Sequence, residues 1–384
     1  MKRNYFGTIL SLFVLATIIC GGYVAASAQT LPSAQFNKRY DFNGDGKADV
    51  SLYSTDYDAG NRGSFYIANS PNDQFRGVQW GGSGNGFTDE PIAGDFDGDG
   101  RGDFAVIRIE SGVCAWYILN NQATSYRRVA FGTNNNQFVC ETPVPADYDG
   151  DGKDDIAVAR RNASGNTFSY YWIRSTDGQI GGRTVSYETA NTECRPTLPG
   201  DYNGDRKADF VVRCRLTATN QQYFNITDNA ANTTQRVFWG IFTAYTNNGT
   251  TYFPEGDIFV PGDYDGDGKT DLAVVRDTLS SSGSNDVGSF TWYIRRSSDG
   301  ALQAQRYGGH DSSSYRDFPT PADYDGDGKT DLAVIRYVGF NLSHFIQNSS
   351  TGATRALSFG FNNLEVRRDG SLISKVGASG YTPY

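Results

Sequence analysis

A nine-residue phrase occurs six times in this chain, and each copy places oxygen-bearing side chains at positions 1, 3, 5 and 9. The first copy offers Asp41, Asn43, Asp45 and Asp49, and the second Asp95, Asp97, Asp99 and Asp103. The third offers Asp147, Asp149, Asp151 and Asp155, and the fourth Asp201, Asn203, Asp205 and Asp209. The fifth offers Asp263, Asp265, Asp267 and Asp271, and the sixth Asp323, Asp325, Asp327 and Asp331. Position 7 is Lys47, Arg101, Lys153, Lys207, Lys269 or Lys329. Its backbone carbonyl is expected to be a fifth ligand, and its side chain is expected to point to solvent. Carboxylate and carbonyl oxygens on a short curled loop suit a hard cation such as Ca²⁺, which takes six to eight oxygens at about 2.3–2.6 Å. Glycines at positions 4 and 6 permit the curl, because glycine tolerates positive φ. Up to six structural calcium ions are therefore expected. The fourth loop has Arg206 at position 6, so it is expected to bind most weakly.

The same opening residues begin an EF-hand, which needs a bidentate Glu at position 12 and a helix on each side. Position 12 here is Leu52, Val106, Val158, Val212, Val274 and Val334, each inside an apolar run such as Leu272-Ala273-Val274-Val275. Such runs read as buried strands. Tandem nonapeptide repeats are also excluded, since the loops start at 41, 95, 147, 201, 263 and 323.

Steps of 52 to 62 residues indicate a repeated supersecondary unit. After each loop comes its apolar strand. An aromatic strand follows, Phe65-Tyr66-Ile67 in the first unit and Trp116-Tyr117-Ile118 in the second. The third unit reads Tyr171-Trp172-Ile173, the fifth Trp292-Tyr293-Ile294 and the sixth His344-Phe345-Ile346. A further strand ends in an aromatic, usually before glycine, as in Trp80-Gly81 and Trp239-Gly240. A Pro-bearing stretch such as Pro143-Val144-Pro145-Ala146 enters the next loop. No segment has helical periodicity. Four short antiparallel strands per unit describe an all-β fold, a β-propeller, with the metal loop between first and second strands. Six loops suggest six blades. The tail from Leu364 to Val376 reads as a hairpin about Asp369-Gly370 that would make a seventh by pairing near Gln29–Phe36. The aromatics are read as packing between blades.

The loop, the following D-φ-A-V-φ-R strand and the W-Y-I strand resemble the FG-GAP/VCBS repeats of secreted bacterial proteins, a class that also builds the integrin α-subunit headpiece. The resemblance spans residues 36 to 360 and implies a calcium-binding β-propeller. It also implies adhesion, carbohydrate binding or protein interaction, and only rarely an enzyme. The chain departs from that pattern at Arg206 and after Gly360, where no seventh loop appears.

Residues 1–28 read as a secretory signal, with Lys2 and Arg3, an apolar run from Ile9 to Ile19, and Ala26-Ser27-Ala28 as the cleavage site. Ile19 before Cys20 is too large for a lipoprotein signal. The expected domains are thus the signal at 1–28, the propeller at 29–360 and the tail at 361–384. No other apolar run approaches the roughly 20 residues of a membrane span. The formal charge is -9. Twenty-two acidic residues stand at loop ligand positions, so the acidity is ligand chemistry. No basic stripe invites nucleic acid. Sequons occur at Asn162, Asn225, Asn232, Asn248, Asn341 and Asn348.

Cys114, Cys140, Cys194 and Cys214 remain after cleavage, an even number that reads as disulfides in a secreted chain. Turns of an up-and-down blade alternate between two faces. Cys114 in a two-to-three turn and Cys140 in the next link then share the face away from the loops. Cys194 in a link and Cys214 at the end of a second strand share it too. The expected pairs are Cys114–Cys140 and Cys194–Cys214. Cys140–Cys194 would join equivalent points of adjacent blades, too far apart for a disulfide.

The only histidines are His310, in a Gly-Gly-His-Asp stretch that reads as a solvated turn, and His344, at a packing position. No nucleophile elbow, zinc-protease motif or P-loop appears. Catalytic carboxylates need two different environments, and six near-identical loops offer the opposite. The sequence therefore reads as a secreted or cell-surface, monomeric, non-catalytic scaffold for adhesion to an extracellular protein or glycan. A lectin-like module is the alternative, and a polysaccharide lyase or hydrolase the third reading. Segments between second and third strands vary, up to a long insertion at Asp277–Gly288, which favours one composite surface over repeated sugar pockets.

Overall fold

A computed structural model describes residues 39–373, apart from residues 57–61, 70–73, 85–86, 134–139, 164, 188–191, 242–244, 248–249, 253–255, 281–286, 312–314, 339–340, 362–364 and 367–371. The signal expected at residues 1–28 lies outside the described residues. Every regular element among the described residues is a β-strand, so no helix is long and apolar enough to cross a membrane.

The strands form six four-stranded antiparallel blades arranged as a β-propeller. Blade II sets the pattern with Glu90–Ile92, Phe104–Glu110, Val113–Leu119 and Tyr126–Thr133 paired in chain order. Blade III repeats it with Thr142–Pro143, Ile156–Arg161, Thr167–Ile173 and Ile180–Ser186. Blade IV comprises Thr192–Pro196, Phe210–Leu216, Gln221–Thr227 and Thr234–Ile241. Blades V and VI start at Ile258–Phe259 and Tyr315–Pro319, and the outer strand Leu302–Asp311 of V also pairs with the first strand of VI. Blade I holds Val50–Asp56, Arg62–Asn69 and Gln74–Gly84 in the second to fourth places of that pattern, with Phe87–Thr88 paired to the last as the fourth strand of the sheet. In the tail, Glu365–Val366 pairs with Leu372–Ile373, and the latter lies against the second strand of blade I. The hairpin thus adjoins blade I, the described residues make up six blades, and Gln29–Phe36, the expected partner of a seventh, lies outside the described residues.

Prolines Pro91, Pro143, Pro196 and Pro319 sit in first strands, each opposite a second-strand valine. These are edge strands, where the missing N–H breaks no ladder. The core is divided among the blade junctions. Six apolar clusters each draw from two adjacent blades, the largest combining Tyr148, Tyr170 and Trp172 of blade III with Phe210 and Tyr223 of blade IV. The others join I to II, II to III, IV to V, V to VI and VI to I. Trp116 and Trp292 are fully buried there, each contributing on the order of 3 kcal/mol from removal of apolar surface from water. Alternate strand residues serve the two junctions of a blade, which is why the aromatic strands alternate so strictly.

Three local readings are corrected. In blade III the packing register is Tyr170-Tyr171-Trp172, because Val158 pairs with Tyr171 as Val106 pairs with Tyr117. Trp172 therefore occupies the place of Ile118. Much of the Asp277–Gly288 insertion is strand, since Leu272–Ser280 and Val287–Arg295 extend blade V. His310 is in the outer strand of that blade, buried, with Nδ1 3.1 Å from an Asp277 carboxylate oxygen, because the longer strands cover it.

Candidate metal centre

In blades II to VI each loop bridges the first and second strands, and the first loop leads into Val50–Asp56 of blade I. The N–H of position 9 donates to the carbonyl before position 1, as in Asp103 to Gly94 and Asp271 to Gly262 at 2.7 Å. Inside the loop, the first Asp accepts from two backbone N–H groups. Gly98 donates to Asp95 Oδ1 at 2.7 Å and Gly100 to Asp95 Oδ2 at 3.0 Å. The ninth Asp accepts the N–H of position 2, as Tyr264 donates to Asp271 Oδ2 at 2.8 Å. Backbone donors thus fix carboxylates that would otherwise repel one another.

Four loops bring three carboxylates together, each offering an oxygen within 4.8 Å of the others. These are Asp95, Asp97 and Asp99 in the second loop and Asp147, Asp149 and Asp155 in the third. In the fifth they are Asp263, Asp265 and Asp271, and in the sixth Asp323, Asp325 and Asp331. The first and fourth loops carry one carboxylate fewer, with Asn43 and Asn203 at position 3. Asn203 Nδ2 donates outward to Asp228 at 2.9 Å. Arg206 adopts φ +70°, close to the +82° to +90° of the glycines at position 6 elsewhere, and its N–H still reaches Asp201 at 2.8 Å. The fourth loop keeps the shared shape at the cost of a strained residue.

Burial governs the electrostatics. It raises the carboxyl pKa of Asp103, Asp155, Asp209 and Asp331 to about 7, with nearby loop carboxylates adding to the effect. Asp147 is pushed up to about 6 by the same cause. Asp103 Oδ1 and Asp149 Oδ1 are buried without a hydrogen-bond donor. Orphaned oxygens and an all-oxygen donor set fit a hard cation.

The loops are also linked to one another. The position 8 N–H of each donates to the position 1 carbonyl of the loop before it, from Gly102 to Asp41 at 2.9 Å through to Thr330 to Asp263 at 2.7 Å. Ala48 donates to Asp323 at 2.8 Å and closes the ring. The position 7 side chain does not stand off into solvent. Its stem lies across the position 4 glycine of the preceding loop, so a Cβ on Gly98 would come 2.7 Å from Lys153 Cε. Lys47 closes this second ring over Gly326.

Sequence reasoning passed over two further sets of residues. The turn between third and fourth strands lies on the loop side and holds the carboxylates. Ser297 Oγ donates to Asp267 at 2.8 Å, and Thr176 Oγ1 to Asp149 at 2.7 Å. The recurring Ser/Thr pair in Arg174-Ser175-Thr176, Arg296-Ser297-Ser298 and Asn348-Ser349-Ser350 was the available signal.

The second set clasps neighbouring blades. Arg108, Arg160, Arg276 and Arg336 each pair with a buried acid near the start of their own blade, namely Asp89, Glu141, Asp257 and Asp317. That acid also accepts a backbone N–H from the outer strand of the preceding blade, as Gly309 donates to Asp317 at 2.8 Å. The guanidinium lies over a third-strand ring, 4.6 Å from Tyr293 for Arg276. In blade IV, Cys214 stands where the arginine would. Cys214 is bonded to its directly opposed partner Cys194, with Cα atoms 4.1 Å apart. Cys194 is thus in the first strand itself. Cys114, in the third strand of blade II, is bonded to Cys140 in the link to blade III, with Cα atoms 5.7 Å apart.

The FG-GAP-like repeat family matches residues 95–158, 147–212 and 263–334. No curated protein sequence matches the chain. Among solved structures, TolB from Acinetobacter baumannii is similar at 14% identity and TM-score 0.42, covering 84% of this chain and 65% of its own. The chain thus spans less than two thirds of that protein. A protein from Lactobacillus plantarum is similar at 10% identity and TM-score 0.33, covering 81% of this chain and 95% of its own.

Proposed function

From the premise that this chain is a β-propeller built of FG-GAP-like repeats, we propose that it is a secreted, calcium-stabilised, non-catalytic scaffold that binds an extracellular partner. The observation that carries this reading is the closed ring of six loops, each bonded to the next and four of them gathering three carboxylates. Calcium would be held by the side-chain oxygens of positions 1, 3, 5 and 9, carboxylates except at Asn43 and Asn203, and by the carbonyl of position 7, and would supply charge neutralisation. The two disulfides suit an oxidising compartment. The loop acids share one environment, which serves a repeated structural ion better than general acid–base chemistry.

A cation that binds only the folded form contributes RT ln(1 + [L]/Kd), about 2.7 kcal/mol per site at a hundredfold excess. Chelation is expected to lower the melting temperature of the mature chain by many degrees, and readded calcium to restore it. An unchanged melting temperature after elemental analysis confirms metal-free protein refutes the calcium reading. The immobilised mature chain is expected to retain a component of the extracellular fraction of its source cells. No retention in saturating calcium refutes the scaffold reading.

A further inference from the structure

We propose that the loops of the ring load with calcium as two cooperative pairs, the second with the third and the fifth with the sixth. The pairing rests on the calcium reading and deepens it by naming how those sites are regulated. The coupling element is one peptide group at each joint between loops. Its carbonyl is that of position 7, a ligand of its own loop in that reading, and its N–H is that of position 8. The N–H donates to the position 1 carbonyl of the preceding loop, as Asp154 does to Asp95 at 2.8 Å and Thr330 to Asp263 at 2.7 Å. A trans peptide is a rigid plane whose carbonyl and N–H point in opposite directions. Ligation of the carbonyl therefore fixes the plane and polarises the N–H, and both effects strengthen the bond to the neighbouring loop. Coupling between sites is reciprocal, so each loop of a joined pair gains from the filling of the other.

Side chains at position 8 make some joints tighter than others. The residue is Gly102, Ala208 or Ala48 where the second loop meets the first, the fourth the third and the first the sixth, so its side chain adds no bond there. Within the first pair it is Asp154, whose Oδ2 accepts the Asp95 N–H at 2.9 Å, so two hydrogen bonds join the same two residues. Asp154 is held in turn by Arg39, whose Nη2 donates to Oδ1 at 2.7 Å. Within the second pair it is Thr330, packed so closely on Gly262 that a Cβ there would come 2.6 Å from its Oγ1. Thr270 packs likewise on Gly200, which attaches the fourth loop to the second pair. The position 7 stem crosses every joint, as Lys329 crosses Gly266 of the fifth loop.

The ligand sets divide the ring at the same places. The four loops with three converging carboxylates are the members of the two pairs. In the second loop Asp103 is 1% exposed and its Oδ1 has no hydrogen-bond donor, a buried acceptor that a cation would satisfy. Asn43 and Asn203 weaken the first and fourth loops, which stand between the pairs. Two adjacent sites on either side of the ring thus fill before the loops that separate them.

The test is native mass spectrometry and amide NMR of the mature chain across a calcium titration. In each member of a pair the position 6 N–H donates to its position 1 carboxylate, at 3.0 Å from Gly100, 2.7 Å from Gly152, 2.8 Å from Gly268 and 2.9 Å from Gly328. These amides each report their own loop. Species with two and four calcium ions are expected to outweigh those with one and three, and Gly268 and Gly328 to shift at the same free calcium. Asp265→Asn gives the fifth loop the position 3 residue of the first and fourth. It is expected to raise the midpoints of Gly268 and Gly328 by about fivefold or more, and those of Gly100 and Gly152 by less than about twofold. Thr330→Gly copies the joint of the first and second loops, keeps every loop oxygen, and is expected to raise the Gly328 midpoint as well. Wild-type species in statistical proportion, or a Gly328 midpoint that neither variant moves, overturns the proposal. Absence of any calcium adduct refutes the calcium reading and the pairing together, whereas independent filling of the loops keeps the former and loses the latter.

Discussion

Replacing Arg276 with Met tests whether the arginine–acid clasps hold the ring. Arg276 Nε lies 3.0 Å from Asp257 Oδ1 and Nη2 2.8 Å from Oδ2. The Asp257 side chain is 2% exposed and the Arg276 side chain 24%, so the pair is poorly screened on the acid side. Ile241 of blade IV donates to the same carboxylate at 2.9 Å. The methionine retains most of the apolar contact with Tyr293 but leaves a buried carboxylate with one backbone donor. Removing one partner of a buried ion pair costs about 3–5 kcal/mol, because the remaining charge is uncompensated. For a chain of this size that corresponds to a fall of roughly 4–7 °C in melting temperature. Asp257→Asn added to Arg276→Met removes the stranded charge and keeps an acceptor for Ile241. The double variant is expected to recover about 1–3 kcal/mol of coupling, read from a double-mutant cycle by thermal unfolding in saturating calcium. A loss below about 1 kcal/mol for Arg276→Met would show an ordinary surface pair and refute the reasoning.

Arg206→Gly relieves a positive-φ residue that costs on the order of 1 kcal/mol and removes a cation beside the site, so it should tighten the fourth loop. A calcium titration in which the wild-type fourth loop fills before the fifth or sixth contradicts this. Burial lowers the pKa of His344 to about 3 from the ordinary 6.5. Its contribution is fully present above pH 6.5 and shrinks by about 1.4 kcal/mol per pH unit as pH falls toward 3. His344→Phe, measured beside wild type in saturating calcium, should flatten that acid-side slope, and parallel profiles exclude the assignment. Cys114→Ser with Cys140→Ser opens a cross-link over 26 residues and should cost about 3–4 kcal/mol in the chain-entropy model. An unchanged unfolding midpoint contradicts it.

The sequence by itself determined the loops, the number of units and the all-β class. Those features are local: a loop ligand is within eight residues of its partners, and strand alternation has a period of two. The division of turns between faces also followed from chain order, so the bonding of Cys114 with Cys140 and Cys194 with Cys214 was within reach. Only the tertiary structure decided where the position 7 side chains lie, because their resting place is the glycine of another loop more than fifty residues away. It decided that Arg108, Arg276 and their equivalents clasp acids that also bind the previous blade, a contact between elements the pattern lists as separate. It buried His310, since the reach of the neighbouring strands sets exposure and the identity of the residue does not.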